Sequence, residues 1–191
     1  MTQHLDIEVE KSIQVLKKGG VVLYPTDTIW GIGCDATNSK AVEKIYRIKH
    51  RAQQQSFIIL LDEAAKLKDY VTHVPSIAYD LIAQYVRPLT IVYPKAKNIA
   101  KNVMASDGSI AIRIVNELFC KTLLHRFGKP IVSTSANISG EAHPISFPVI
   151  SESIKNGVDY AVDWERNVVR EVHPSTIIRL FDNGTFDVVR S

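Results

Sequence analysis

Apolar positions along this chain fall into two rhythms, a spacing of three or four residues and unbroken runs of four or five, and the two alternate for most of its length. Val9, Ile13 and Leu16 share one helical face, with Lys17 and Lys18 in the last turn and Gly19 placed to end it, so a first helix is expected up to Gly19. A strand over 21–24 follows. Asn38 or Ser39 can cap a second helix, along which Val42, Ile45 and Ile48 recur at three-residue steps, and this helix delivers Lys49 and Arg51 at its C-terminal end. The continuous run 57–61 reads as a strand buried on both faces.

Further along, Pro75 opens a helix through Ala83 and Tyr85, and strands are expected over 89–93 and 110–114. Asn116 caps a helix that turns Phe119, Leu123 and Phe127 inward before Gly128 stops it. Ile131-Val132 returns as a short strand. One helix is expected over 146–155, with Pro148 near its start and Asn156-Gly157 as its stop, then a strand over 158–162. The chain closes in a hairpin, 176–180 and 185–189, around Asp182-Asn183-Gly184, because Asn-Gly tolerates positive φ. Helices and strands alternate early and a hairpin comes late, so the expected fold is α/β with a mixed sheet, in a single domain over 1–191.

Composition narrows the class. With 191 residues, 46% hydrophobic and 23% charged, the chain can bury a sizeable core. Lys and Arg number 23 against 20 Asp and Glu, which excludes a polycation that binds nucleic acid by bulk charge; any RNA contact must be local. Cys34 and Cys120 lack C-x-x-C spacing, which argues against a disulfide framework or zinc knuckle and for a reducing, cytoplasmic setting. No stretch approaches the 18 or so apolar residues that span a bilayer, so no membrane association is expected.

The usual phosphate cradles are missing, since Gly31-Ile32-Gly33 lacks the third glycine of a dinucleotide fingerprint and no P-loop string occurs. Side chains must therefore meet any anion. Lys49 and Arg51 can grip two different oxygens if the helix ends between them, or they can simply complement the helix dipole. Ser135-Ala136-Asn137 follows an apolar strand, where α/β sheets bind ligands, but Ser and Asn also satisfy their own loops. Thr26, Asp27 and Thr28 occupy the same kind of place after 21–24. Arg113 is either a solvated strand end or a carboxylate grip. The six histidines show no metal-ligand spacing, no G-x-S-x-G elbow presents a nucleophile, and no protein metal ligands are expected.

Taken in order, six strings resemble the YrdC/TsaC family of L-threonylcarbamoyladenylate synthases: 20–33 (Gly-Val-Val-Leu-Tyr-Pro-Thr-Asp-Thr-Ile-Trp-Gly-Ile-Gly), 45–51, Pro88-Leu89-Thr90, Ala111-Ile112-Arg113, 135–140 and 174–177. The resemblance spans nearly the whole chain. It implies a YrdC-like twisted open mixed sheet with flanking helices and a basic concave cleft. It implies a reaction in which L-threonine, bicarbonate or CO₂, and ATP give threonylcarbamoyl-AMP and pyrophosphate, with Mg²⁺ carried on the ATP phosphates. The product would pass to a separate transferase complex that modifies adenosine 37 of ANN-decoding tRNA. By the family pattern, Lys49, Arg51, Ser135 and Asn137 are catalytic; Lys49, Arg51, Gln55, Ser109, Asn137 and Arg190 hold ATP; and Thr28, Arg113, Ser135 and Ser175 hold threonine.

The chain departs from that pattern at Val86-Arg87 before Pro88, at Ala52 and Gln55 after the Lys-x-Arg string, and over 163–173. A water-excluding lid at 140–147 or 163–174 is expected for a labile mixed anhydride. Two other readings are a carbamoyladenylate-forming enzyme without threonine and a non-catalytic module with weak tRNA or double-stranded RNA binding, using Arg47, Lys49, Arg51, Lys95, Lys97 and Lys101.

Overall fold

The computed structural model describes residues 2–52, 55–169 and 175–191. Among the described residues nine strands form one mixed sheet: β1 (Val22–Tyr24), β2 (Gly31–Gly33), β3 (Ile58–Leu61), β4 (Leu89–Tyr93), β5 (Ile110–Ile114), β6 (Ile131–Ser135), β7 (Tyr160–Ala161), β8 (Thr176–Leu180) and β9 (Phe186–Arg190). Their spatial order is β7-β1-β2-β6-β3-β5-β4-β8-β9. Three pairings are parallel, β1 with β7, β3 with β5 and β4 with β8, and the rest antiparallel. Among the described residues six α-helices flank it: α1 (Thr2–Lys17), α2 (Ser39–Ile48), α3 (Leu67–Tyr70), α4 (Ser76–Gln84), α5 (Leu118–Phe127) and α6 (Glu152–Gly157).

The period of two along each strand sends alternate side chains to opposite faces. Ile59, Leu61, Ile91, Ile112, Val132 and Ile178 point into the larger core, which α2 seals with Val42 and Ile45. Val22, Tyr24, Leu60 and Ile131 point to the other face, where α1 and α5 cover them with Val9, Leu16, Phe119 and Leu123. These two helices cover only one end of that second face. Arg113, Thr90, Ser133 and Ser135 are in register with this face but belong to neither apolar cluster. This uncovered part of the sheet is where polar chemistry collects.

Several expected boundaries shift for identifiable reasons. Gly31-Ile32-Gly33, to which the hydrophobic pattern assigned no element, is the strand β2, wedged antiparallel between β1 and β6. A Cβ at Gly33 would run into the Val132 carbonyl oxygen and stand 2.8 Å from the Tyr24 hydroxyl, so glycine is what lets the strands close. Glu117, not Asn116, caps α5, its carboxylate accepting from the Phe119 and Cys120 amides at 2.9 and 2.7 Å. The helix expected over 146–155 divides into a 3₁₀ turn, Phe147–Val149, and α6, because Ile150 turns extended and buries its side chain. The strand expected over 158–162 shortens to the two residues of β7. The caps at Asn38 and Gly128 and the Gly184 hairpin stand as expected.

Candidate active site

The decisive local event is the end of α2. Lys49 still has helical φ and ψ, His50 adopts φ +49°, and the chain leaves in a new direction. The helix does end between the two cations, and it sends them to different places. Arg51 lines a cleft of about 250 Å³, packs its guanidinium 4.8 Å from the Phe57 ring centre and donates through Nη2 to the Ser56 carbonyl at 2.7 Å. Its Nε has no protein partner. Lys49 instead is only 2% exposed and lies behind the cleft wall. Its ammonium donates to the Ser135 carbonyl at 2.5 Å, the Asn137 carbonyl at 2.6 Å and Asn137 Oδ1 at 3.3 Å.

Lys49 is therefore a strap between α2 and the end of β6. The Ser139 amide completes it by donating to the Lys49 carbonyl at 2.9 Å. Burial first, and the neighbouring Arg51 charge second, push the Lys49 ammonium down to about 8, so it stays charged at neutral pH. Asn137 is buried too, and its Nδ2 donates to the Glu141 carbonyl at 2.7 Å, holding the following loop. Both residues shape the cleft without lining it.

Across the sheet sits the second half of the site. Arg113 is 5% exposed, which removes the solvated-end alternative. Its Nη2 is 3.2 Å from Asp27 Oδ1, close enough for Coulomb attraction but poorly aligned for a hydrogen bond, and its Nη1 donates to Thr28 Oγ1 at 3.4 Å. Thr90, paired with Arg113 in register, places its hydroxyl 2.9 Å from that of Ser175. Arg190, on the edge strand β9, donates to the Ser175 carbonyl at 2.8 and 3.2 Å. The cleft thus gathers Thr28, Arg51, Arg113, Ser135, Ser175 and Arg190 from six separate segments. Gly31, paired with Ser135, also lines it; having no side chain there helps keep the floor open.

Two expected residues fall elsewhere. Gln55 is exposed and Ser109 immediately precedes β5, four residues from Arg113; neither lines the cleft. Ser109 was expected from the family resemblance alone, which carries no measure of how far the cleft extends beyond Arg113. Thr26, noted after 21–24 but given no role, also lines the cleft, as do Ser56 and His143, which were not singled out. Thr26 lies in the 20–33 string, and His143 in the 140–147 stretch expected to act as a lid. The other lid segment falls partly on 170–174, outside the described residues. Arg87 is exposed and away from the cleft. Among the described residues no three His, Cys, Asp or Glu side chains come together to hold a metal ion, and no helix is long and apolar enough to cross a membrane.

Comparison with known proteins places this geometry. A family model described as Telomere recombination, that of the Sua5, YciO and YrdC proteins, matches residues 14–191. The threonylcarbamoyl-AMP synthase of Pseudoalteromonas translucida is 34% identical over 172 residues, covering 88% of this chain and 91% of that protein. P. abyssi Sua5, solved in complex with L-threonine, superposes with a TM-score of 0.83 at 26% identity over 90% of this chain, which spans about half of that longer protein. E. coli YciO superposes with a TM-score of 0.82 at 25% identity, covering 95% of this chain and 87% of that one. The match over most of the chain, together with the arrangement of the cleft, makes this chain a member of the Sua5/YciO/YrdC family.

Proposed function

We propose that this chain is a threonylcarbamoyl-AMP synthase, an ATP-dependent adenylyl-transferring enzyme that joins L-threonine, bicarbonate or CO₂, and ATP. The observation that carries this reading is the convergence of Thr28, Arg113 and Ser175 with Arg51 and Ser135 in one cleft of a family fold. The curated relative bears that activity in its name, and the P. abyssi protein was solved with the amino-acid substrate. The first group suits an amino acid, with Arg113 for its carboxylate. Arg51, with Nε free of protein partners, and Ser135 suit phosphate oxygens.

In the reaction the threonine amine captures CO₂ as a carbamate. A carbamate oxygen then attacks the α-phosphorus, a new O–P bond forms, and pyrophosphate leaves with its Mg²⁺. Negative charge grows on phosphate oxygens, so fixed donors such as Arg51 and Ser135 lower the barrier without a covalent enzyme intermediate. Mg²⁺ arrives as part of the nucleotide substrate, bound through phosphates and water. We assign Lys49 and Asn137 the task of holding Ser135 in place, and nucleotide contacts to Arg51, Ser135 and Arg190 rather than to Gln55 or Ser109. The product is handed to a separate transferase for adenosine 37 of ANN-decoding tRNA, and the reaction belongs to the cytoplasm.

The purified chain, given ATP, Mg²⁺, bicarbonate and L-threonine, is expected to release pyrophosphate only when threonine is present. Pyrophosphate release that needs an added carbamoyl source, such as carbamate, in place of threonine would favour the carbamoyladenylate reading. The RNA-binding reading is weakened because Lys49 is buried and Lys95 is paired with Asp182 at 2.6 Å, which leaves fewer free cations for a phosphate backbone.

A further inference from the structure

Counting protons around the first loop of the cleft shows what kind of group the cleft can accept there. Thr26 is 2% exposed, and its hydroxyl has one proton and two lone pairs. The proton goes to the Ile29 carbonyl at 2.7 Å, an oxygen that can only accept. One lone pair takes the Thr28 amide at 3.1 Å. The Thr28 hydroxyl is the remaining neighbour, also at 3.1 Å, and since Thr26 has no second proton, Thr28 must be the donor in that contact. Thr28 Oγ1 in turn accepts from Arg113 Nη1. One lone pair of Thr28 is left, on a residue that lines the cleft, and only a donor can use it.

We propose that Thr26 is a positioning residue that locks the Thr28 hydroxyl as an acceptor, so that the cleft selects its amino acid by a side-chain hydroxyl that donates. This rests on the function proposed above and assigns the substrate atoms within it. The carboxylate goes to Arg113 by charge, and the amine, which becomes the carbamate, must face the phosphate-binding side near Arg51 and Ser135. The side-chain hydroxyl is the donor left for Thr28. A free serine or threonine hydroxyl in the protein would rotate to suit either partner; here the Ile29 carbonyl, through Thr26, removes that freedom. An amino acid of the same shape without the hydroxyl leaves the Thr28 lone pair buried and unpaired, which is how polar sites discriminate most strongly.

The test compares kcat/KM for L-threonine, L-2-aminobutanoate and 2-amino-3-fluorobutanoate of the same configuration, by pyrophosphate release. Fluorine keeps the shape and can accept but cannot donate. In the unaltered chain both analogues are expected to fall about 100-fold or more below threonine and within about threefold of each other, the loss typical of a stranded polar partner. A fluoro analogue that reacts like threonine would overturn the proposal, since Thr28 would then be the donor. Thr26→Val, nearly equal in shape, is expected to shrink the threonine-to-aminobutanoate ratio about tenfold through KM for threonine, while Thr26→Ser restores it. Equal losses for both substrates, or an unchanged ratio, would reject the role of Thr26. The measurements on the unaltered chain decide the polarity even if Thr26→Val fails to fold. Absence of any threonine-dependent pyrophosphate release is a separate result that rejects the enzyme assignment itself.

Discussion

Replacing Lys49 by Met separates a strap from a substrate contact. The substitution keeps most of the stem volume and removes the ammonium from between the Ser135 and Asn137 carbonyls, at 2.5 and 2.6 Å. The fall from 10.5 to about 8 corresponds to about 3 kcal/mol of desolvation and repulsion, at 1.36 kcal/mol per unit, which the methionine no longer bears. Against that, the two carbonyls left stranded cost about 1–3 kcal/mol each, the contact to Asn137 Oδ1 at 3.3 Å being too long to add much. The terms nearly cancel, as they commonly do when a buried charge gives way to an apolar group. Lys49→Met should therefore change stability by less than about 3 kcal/mol, or under about 12 °C in Tm for a chain of this size. What does not cancel is geometry: Ser135 loses its anchor, and a misplacement of about 1 Å in a positioning group costs on the order of 10²-fold in rate. Calorimetry and pyrophosphate release on the same preparation measure both. The unaltered enzyme should also lose activity as pH rises through about 8, where the neutral amine can no longer donate to all three oxygens. A Lys49→Met protein with normal kcat would refute the strap, as would a loss of stability far beyond this range.

Arg51→Ala should lower turnover by about 10²–10³, the usual loss for one preorganised donor, with an unchanged circular dichroism spectrum; near-normal turnover would remove Arg51 from the transition state. Gly33→Ala forces a methyl against the Val132 carbonyl and should cost about 1–3 kcal/mol or more, read as a lower Tm, because a backbone atom in the β2–β6 ladder cannot step aside. Glu8 is buried on α1, where burial opposes its charge but Lys11, the Tyr160 hydroxyl and the Asp163 amide together outweigh it and hold its carboxyl below 4.5. Its contribution is present above 4.5 and lost as pH falls through the lower folded value, so the Tm gap between the unaltered chain and Glu8→Gln should be widest near neutrality and close in acid. A gap that stays constant down to acid would contradict this.

The hydrophobic rhythm made α2, β3, β4, β5 and the last hairpin legible, since burial on one face imposes its period on the sequence. It failed at β2, because two of its three residues have no side chain to carry a pattern, and at α6, because Pro148 marked a 3₁₀ turn rather than the start of a long helix. Thr28, Arg51, Arg113, Ser135 and Ser175 lie in the quoted motifs, Arg190 was named from the family resemblance alone, and all six line the cleft. Lys49 and Asn137 were named with them, yet both are buried, bonded to each other and absent from the cleft lining. Residue type announces capacity for an interaction; only the direction of the backbone decides which partner receives it.

The sequence by itself determined the α/β class, most helix ends and the set of polar residues from which a site could be built, because periodicity, caps and turn chemistry are local. Tertiary structure decided how those residues divide. The left-handed turn at His50 parts Lys49 from Arg51, the register of β4 against β5 and β8 brings Arg113 to Thr90 and Thr90 to Ser175, and the incomplete cover by α1 and α5 leaves one stretch of sheet open. These are distances between segments far apart in the chain, and no local pattern encodes them.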